Sequence, residues 1–134
     1  EVAMEMETRG RILVVEDDEA LARITQAELS SRGFEVHTET RGGKALTYAA
    51  DHPVDLVILD LRLPDMNGYE GCKQLRKVLH PRIVPVLMLT ALQEPVDQLR
   101  GFANGADAYL TKPCGLEDLM KTISLLLGEM TPGF

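Results

Sequence analysis

"ILVVEDDEA", residues 12–20, runs from an aliphatic stretch into four consecutive acids, Glu16, Asp17, Asp18 and Glu19. A short, continuously apolar run suits a strand covered on both faces, as in a parallel sheet, with the acids gathered at its carboxyl end. Four comparable runs follow "RILVV" (11–15): "EVHT" (35–38), "DLVIL" (55–59), "VPVLML" (84–89) and "AYL" (108–110). Helical patterns separate them. Cys72, Leu75 and Leu79 recur at i, i+3 and i+7, as do Val96, Leu99 and Ala103, and Leu116, Leu119, Met120, Ile123 and Leu127 form a longer stripe. Further helices are expected near 19–32, closed by Gly33, and near 43–51. Strands alternating with helices imply right-handed crossovers. The expected fold is therefore α/β, a doubly wound five-stranded parallel sheet flanked by five helices, with its ligand edge at the carboxyl ends of the strands.

The residues at that edge are Glu16 and Asp17 after the first strand, Asp60 after the third, Thr90 after the fourth and Lys112 just past the fifth. Carboxylates 4 Å apart repel by about 4 kcal/mol at an effective dielectric near 20, so three together raise one another's pKa or require a cation. A few hard oxygen ligands that leave room for waters and a phosphate fit magnesium better than zinc or a full calcium cage, and the alternating acids of a calcium loop are absent. An aspartate beside magnesium, with a hydroxyl and a lysine at hand, can attack a phosphoryl group and hold it as an acyl phosphate.

Bulk properties agree with a single small domain. The chain has 134 residues, 45% hydrophobic and 26% charged, a globular balance. Its net charge of -7 repels phosphate-rich polymers, and no basic patch offsets it, so direct nucleic-acid binding is not expected. No run approaches a membrane span and no signal-like segment is present, which points to the cytoplasm. Cys72 and Cys114 lack metal-ligand spacing and read as reduced thiols. Residues 1–10, "EVAMEMETRG", carry no pattern and read as a flexible lead-in or cloning remnant. The domain is expected over 11–128, with 129–134 as a tail or the start of a linker.

"VVEDDEA", "LVILDLRLPDMNGYE", "LMLTA" and "GADAYLTKP", in this order, resemble the receiver domain of two-component response regulators over roughly residues 11 to 127. The resemblance implies that Asp60 is the phosphoacceptor. It implies magnesium, with manganese able to substitute, held by Glu16, Asp17, Asp60 and the backbone carbonyl of Arg62. It further implies Thr90 and Tyr109 as a coupled switch pair, Ala91 as the small residue that lets the loop close, Lys112 as the phosphoryl-binding cation and a cis Lys112–Pro113 bond. The partner implied is a sensor histidine kinase or histidine phosphotransfer protein, and the output a changed face of helix four, strand five and helix five. The chain would be a regulatory phosphoacceptor whose only catalysis is of its own modification. Arg62 and Leu92 occupy the positions that flank an attacking water. Cys114 stands where many relatives have Phe. Ala108 and Thr122 replace the acid and arginine of a common dimer contact, although a homodimer is compatible with the chain.

Blander readings apply to the neighbours. Asp18 and Glu19 are expected to cap the first helix and complement its dipole. Thr90 with Gln93 also matches a capping box. "LPDMNG" (63–68) is a turn. His37, His52 and His80 stand apart and read as structural, and Glu94, Asp97 and Arg100 read as a solvated helix face. Three other functions compete: a flavodoxin-like cofactor binder, whose phosphate "EDDEA" would repel; a magnesium phosphatase, which needs a second acid where Arg62 stands; and a receiver-shaped module that is never phosphorylated.

Overall fold

The structure, a computed structural model, describes residues 8–129. Five parallel strands form one sheet: β1 (Arg11–Val15), β2 (Glu35–Glu39), β3 (Leu56–Leu59), β4 (Val86–Thr90) and β5 (Ala108–Thr111). Five helices connect and follow them: α1 (Glu19–Ser31), α2 (Gly42–Asp51), α3 (Gly68–Leu79), α4 (Pro95–Ala103) and α5 (Leu116–Leu126). The spatial order is β2-β1-β3-β4-β5. Chain direction across the sheet therefore reverses between β1 and β3, where such sheets open a crevice.

The unbroken aliphatic runs reflect a core on each face. Ile12 and Val14 of β1 point, with Leu56, Ile58 and Leu87, into a layer closed by Leu29 of α1 and by Leu119, Met120 and Ile123 of α5. Leu13 and Val15 point the other way, with Val57, Leu59, Val86 and Met88, against Ala45 and Ala49 of α2 and Cys72, Leu75 and Leu79 of α3. Each buried aliphatic side chain contributes about 1.5–3 kcal/mol relative to exposure. Charged residues could not alternate along such strands.

Boundaries moved where side chains or proline intervene. Asp55 precedes β3 because its carboxylate accepts from the Arg11 amide at 2.7 Å and its own amide donates to the Arg11 carbonyl. β4 begins after Pro85, which has no amide hydrogen to give, and extends to Thr90, which is thus its last residue rather than the one beyond. Helix α4 departs most from the expected pattern. Val96 and Leu99 are 59% and 69% exposed, and only Gly101 of this helix is buried. The inward line runs through Asp97, Gly101 and Asn104 instead, because a Cβ on Gly101 would lie 2.9 Å from Met88 Sδ and 3.0 Å from the Tyr109 ring. Gly101 is where the helix approaches β4 and β5 closely.

Both outer strands are short and half-buried, and β2 carries Glu35, His37 and Glu39. The His37 ring stacks on Tyr48 of α2 at 3.7 Å, and His52 stacks on the same tyrosine at 4.1 Å. Of the expected lead-in, residues 1–7 lie outside the described residues. Arg9 donates its amide to the Gly33 carbonyl, stacks on Phe34 and pairs with Glu129 at 2.6 Å. Of the expected tail, 130–134 lie outside the described residues. No helix among the described residues is long and apolar enough to cross a membrane.

Gly68 opens α3 where the backbone crowds the loop after β3. A Cβ there would meet Leu61 Cα at 2.4 Å and the Asp60 carbonyl at 2.7 Å, both main-chain atoms that cannot step aside. Gly68→Ala is expected to destabilise the domain by on the order of 3 kcal/mol, read from the urea midpoint. An unchanged midpoint would show that the loop relaxes freely.

Candidate functional site

Val15 of β1 stands opposite Leu59 of β3, so the next residue of each strand, Glu16 and Asp60, emerges side by side at the crevice. The Asp60 amide donates to the Val15 carbonyl at 3.0 Å, which fixes that step. One carboxylate oxygen from each of Glu16, Asp17 and Asp60 lies within 4.8 Å of the others. Glu16 and Asp60 are buried, each 5% exposed, whereas Asp17 faces solvent. On the other side of β3, Thr90 pairs with Thr111, and the Lys112 amide donates to the Thr90 carbonyl at 2.8 Å. The Lys112 side chain then crosses the crevice and donates to Asp60 Oδ2 at 2.8 Å and Glu16 Oε1 at 2.5 Å. The Lys112–Pro113 peptide is cis.

Charge in this enclosure is only partly balanced. Burial pushes the Glu16 carboxyl up to about 7, with the Asp60 charge adding to the effect; the Lys112 bond and the Asp18 amide oppose it. Burial lowers the Lys112 ammonium, but its bonds to Asp60 and Glu16 outweigh that and leave it above its ordinary value. Three hard oxygen donors at this spacing suit a small divalent cation such as magnesium. The donor set fits.

The remaining expected residues surround this cluster. The Arg62 amide donates to Asp60 Oδ1 at 3.1 Å, while the arginine side chain is exposed. Thr90 is fully buried, and its hydroxyl oxygen accepts from the Leu92 amide at 3.4 Å. Ala91 is exposed at the start of the β4–α4 loop. Tyr109 turns its hydroxyl onto that loop and donates to the Leu92 carbonyl at 2.7 Å. Burial, then the nearby Tyr69 and Asp97, raises the Tyr109 phenol. Leu92 therefore donates one bond, to Thr90, and accepts another, from Tyr109.

Local rules explain the acids beside the site. Asp18 caps α1, accepting from the Leu21 amide at 3.1 Å, and Glu19 lies in its first turn. The capping box falls at Glu94 and Asp97 rather than at Thr90 and Gln93, because α4 begins at Pro95. Two features escaped sequence reading. Asp65 accepts from the Gly42 and Gly43 amides at 2.8 and 2.9 Å, so the loop after β3 caps α2. Those bonds hold its carboxyl below the ordinary carboxylate value. Asp97 and Arg100 are more than a solvated face: Tyr69 donates to the Asp97 carbonyl at 3.1 Å, and Arg100 lies 4.2 Å above the Tyr69 ring. Only its spacing, three residues before Cys72 at the head of the Cys72, Leu75 and Leu79 stripe, hinted that Tyr69 was buried.

A family model described as the response regulator receiver domain matches residues 12–124. The chain is 38% identical over 117 residues to the DNA-binding dual master transcriptional regulator RpaA of Synechocystis, covering 87% of this chain and 48% of the relative. The chain spans about half the length of the curated relatives it matches. Among solved structures it resembles a CheY-like response regulator receiver domain protein of Methanospirillum hungatei, with a TM-score of 0.83 and 32% identity over 90% of this chain and 94% of that one. It also resembles the receiver domain of a sensor histidine kinase from Pseudomonas aeruginosa, with a TM-score of 0.81 and 29% identity over 89% and 98% of the two chains. That structure carries a magnesium ion coordinated in its active site cleft.

Proposed function

We propose, from the premise that the chain belongs to the response regulator receiver domain family, that it accepts a phosphoryl group on Asp60 from a phosphohistidine of a sensor kinase or phosphotransfer protein. The observation that carries this reading is the convergence of Glu16, Asp17 and Asp60 in one crevice with the Lys112 ammonium 2.8 Å from Asp60. A carboxylate oxygen of Asp60 attacks phosphorus, an O–P bond forms, the N–P bond to the donor imidazole breaks, and the departing ring takes a proton from solvent. The Arg62 amide fixes one oxygen of Asp60, which leaves the second, now bonded to Lys112, to act as nucleophile.

Glu16, Asp17, Asp60 and the Arg62 carbonyl are the ligands we assign to magnesium, with manganese as a substitute. When bound, the ion supplies positive charge against the phosphoryl oxygens. Lys112 balances the same charge from the opposite side. Thr90, buried at the end of β4, then donates its hydroxyl to a phosphoryl oxygen, drawing the Ala91–Leu92 segment inward and altering what Tyr109 holds. The α4, β5 and α5 face carries the output. The domain is regulatory, its only chemistry being its own modification. A cytoplasmic setting and separate effector machinery complete the reading.

The test is incubation with magnesium and acetyl phosphate followed by intact mass. One phosphoryl group per chain is the expected gain, lost on chelation of the metal. No gain in folded protein at saturating magnesium would refute the phosphoacceptor reading.

A further inference from the structure

Besides the loop after Thr90, the loop after β3 also links Asp60 to α4, through its backbone and then a side chain. Gly68 donates its amide to the Leu61 carbonyl at 2.9 Å and lies so close to Asp60 and Leu61 that no Cβ fits between them. Tyr69 follows directly, its amide capped by Asn67 at 2.8 Å. Its ring is 5% exposed, yet its hydroxyl leaves α3 and reaches α4, donating to the Asp97 carbonyl at 3.1 Å and approaching Asp97 Oδ1 at 3.4 Å.

Asp97 is itself a capping residue: its Oδ2 accepts from the Glu94 amide at 3.2 Å and so helps to hold the first turn of α4. One turn further on, the Arg100 guanidinium lies over the Tyr69 ring at 4.2 Å. Helix α4 buries nothing but Gly101, so these polar and stacking contacts carry an unusual share of what fixes its position. Tyr109, whose phenol lies near Tyr69 and Asp97, holds the preceding loop at Leu92, five residues before Asp97.

We propose that Tyr69 is a positioning residue, a tie between the Asp60 loop and the first turns of α4 that acts alongside the Thr90–Tyr109 route and sets how readily α4 shifts when Asp60 is modified. This rests on the phosphoacceptor reading for its trigger, but the tie itself belongs to the unmodified protein. Movement of the Leu61–Gly68 contact at Asp60 reaches Tyr69 through a main chain with no slack, and Tyr69 passes it to Asp97 and Arg100.

The test is residue-resolved amide hydrogen exchange of the whole chain, with and without beryllium trifluoride as phosphoryl mimic, in wild type, Tyr69→Phe, Arg100→Gln and Tyr109→Phe. Arg100 is exposed, so its variant is not expected to perturb folding. In unmodified Tyr69→Phe, exchange of the α4 amides should rise roughly fivefold, the worth of one net hydrogen bond, while α1 and α5 stay unchanged. Arg100→Gln should act in the same direction, about two- to fivefold. The difference that the mimic produces in α4 should shrink in both, and adding Tyr69→Phe to Tyr109→Phe should raise α4 exchange further, by less than the product of the two single effects because the two phenols are neighbours. Unchanged α4 exchange, a rise shared equally by all helices, or a double variant no different from Tyr109→Phe would each overturn the tie. Absence of any response to the mimic in wild type would count against the phosphoacceptor reading, while the unmodified comparison would still decide the role of Tyr69.

Discussion

Asp60→Ala is expected to show no phosphoryl uptake from acetyl phosphate, a loss of at least about a thousandfold in rate, because no other carboxylate shares its position. Glu16 accepts from Lys112 but not from the Arg62 amide, and Asp17 faces solvent, so neither presents an oxygen held as the Arg62 amide and the Lys112 ammonium hold Asp60. Asp60→Glu tests placement rather than charge. One added methylene moves the oxygen by more than an ångström, and an error of that size costs about a hundredfold. Folding should survive both changes, since Lys112 keeps its bond to Glu16. The measurement is time-resolved intact mass with a cooperative thermal melt as control. Labelling of a folded Asp60→Ala protein at wild-type rate would move the acceptor elsewhere.

Magnesium affinity should strengthen about tenfold between pH 6 and pH 8. With the Glu16 carboxyl raised to about 7, roughly one molecule in ten is ionised at the lower pH and nine in ten at the higher, and only the ionised form is a good ligand. Binding should release a proton near neutrality, which calorimetry in buffers of different ionisation enthalpy detects. Stability of the metal-free protein runs the opposite way. The folded state holds this proton more tightly than the unfolded chain, whose carboxyl has the ordinary value of 4.5, so stability falls as pH rises from there to about 7 and then levels. Glu16→Gln should flatten both curves. A steep pH dependence persisting in that variant would assign the proton to another group.

The sheet and its ligand edge were legible because continuous apolar runs and terminal acids report burial on two faces at once. Glu16, Asp60 and Lys112 lie far apart in the chain, and the strand order alone brings them together. Local chemistry sufficed for Asp18, whose side chain satisfies a nearby amide. It failed for α4. Val96 and Leu99 carry helical spacing, but spacing says nothing about which side meets the sheet, and Gly101, with no side chain to signal it, makes the contact. Tyr69 and Asp65 were illegible for a related reason. Each bonds an element distant in sequence, Asp97 in one case and the start of α2 in the other, and no local pattern announces such a partner.

The outer rails of the sheet also bear on how copies of the chain meet. β2 is five residues long, carries two glutamates and has its histidine engaged by Tyr48, and β5 has only four residues. Rails this short, one of them acidic, make poor templates for a foreign strand, since a newcomer finds few free main-chain groups and like charge beside them. Continuous ribbons of stacked sheets are disfavoured at the outset. Strand-to-strand pairing of two copies is the mode these edges resist.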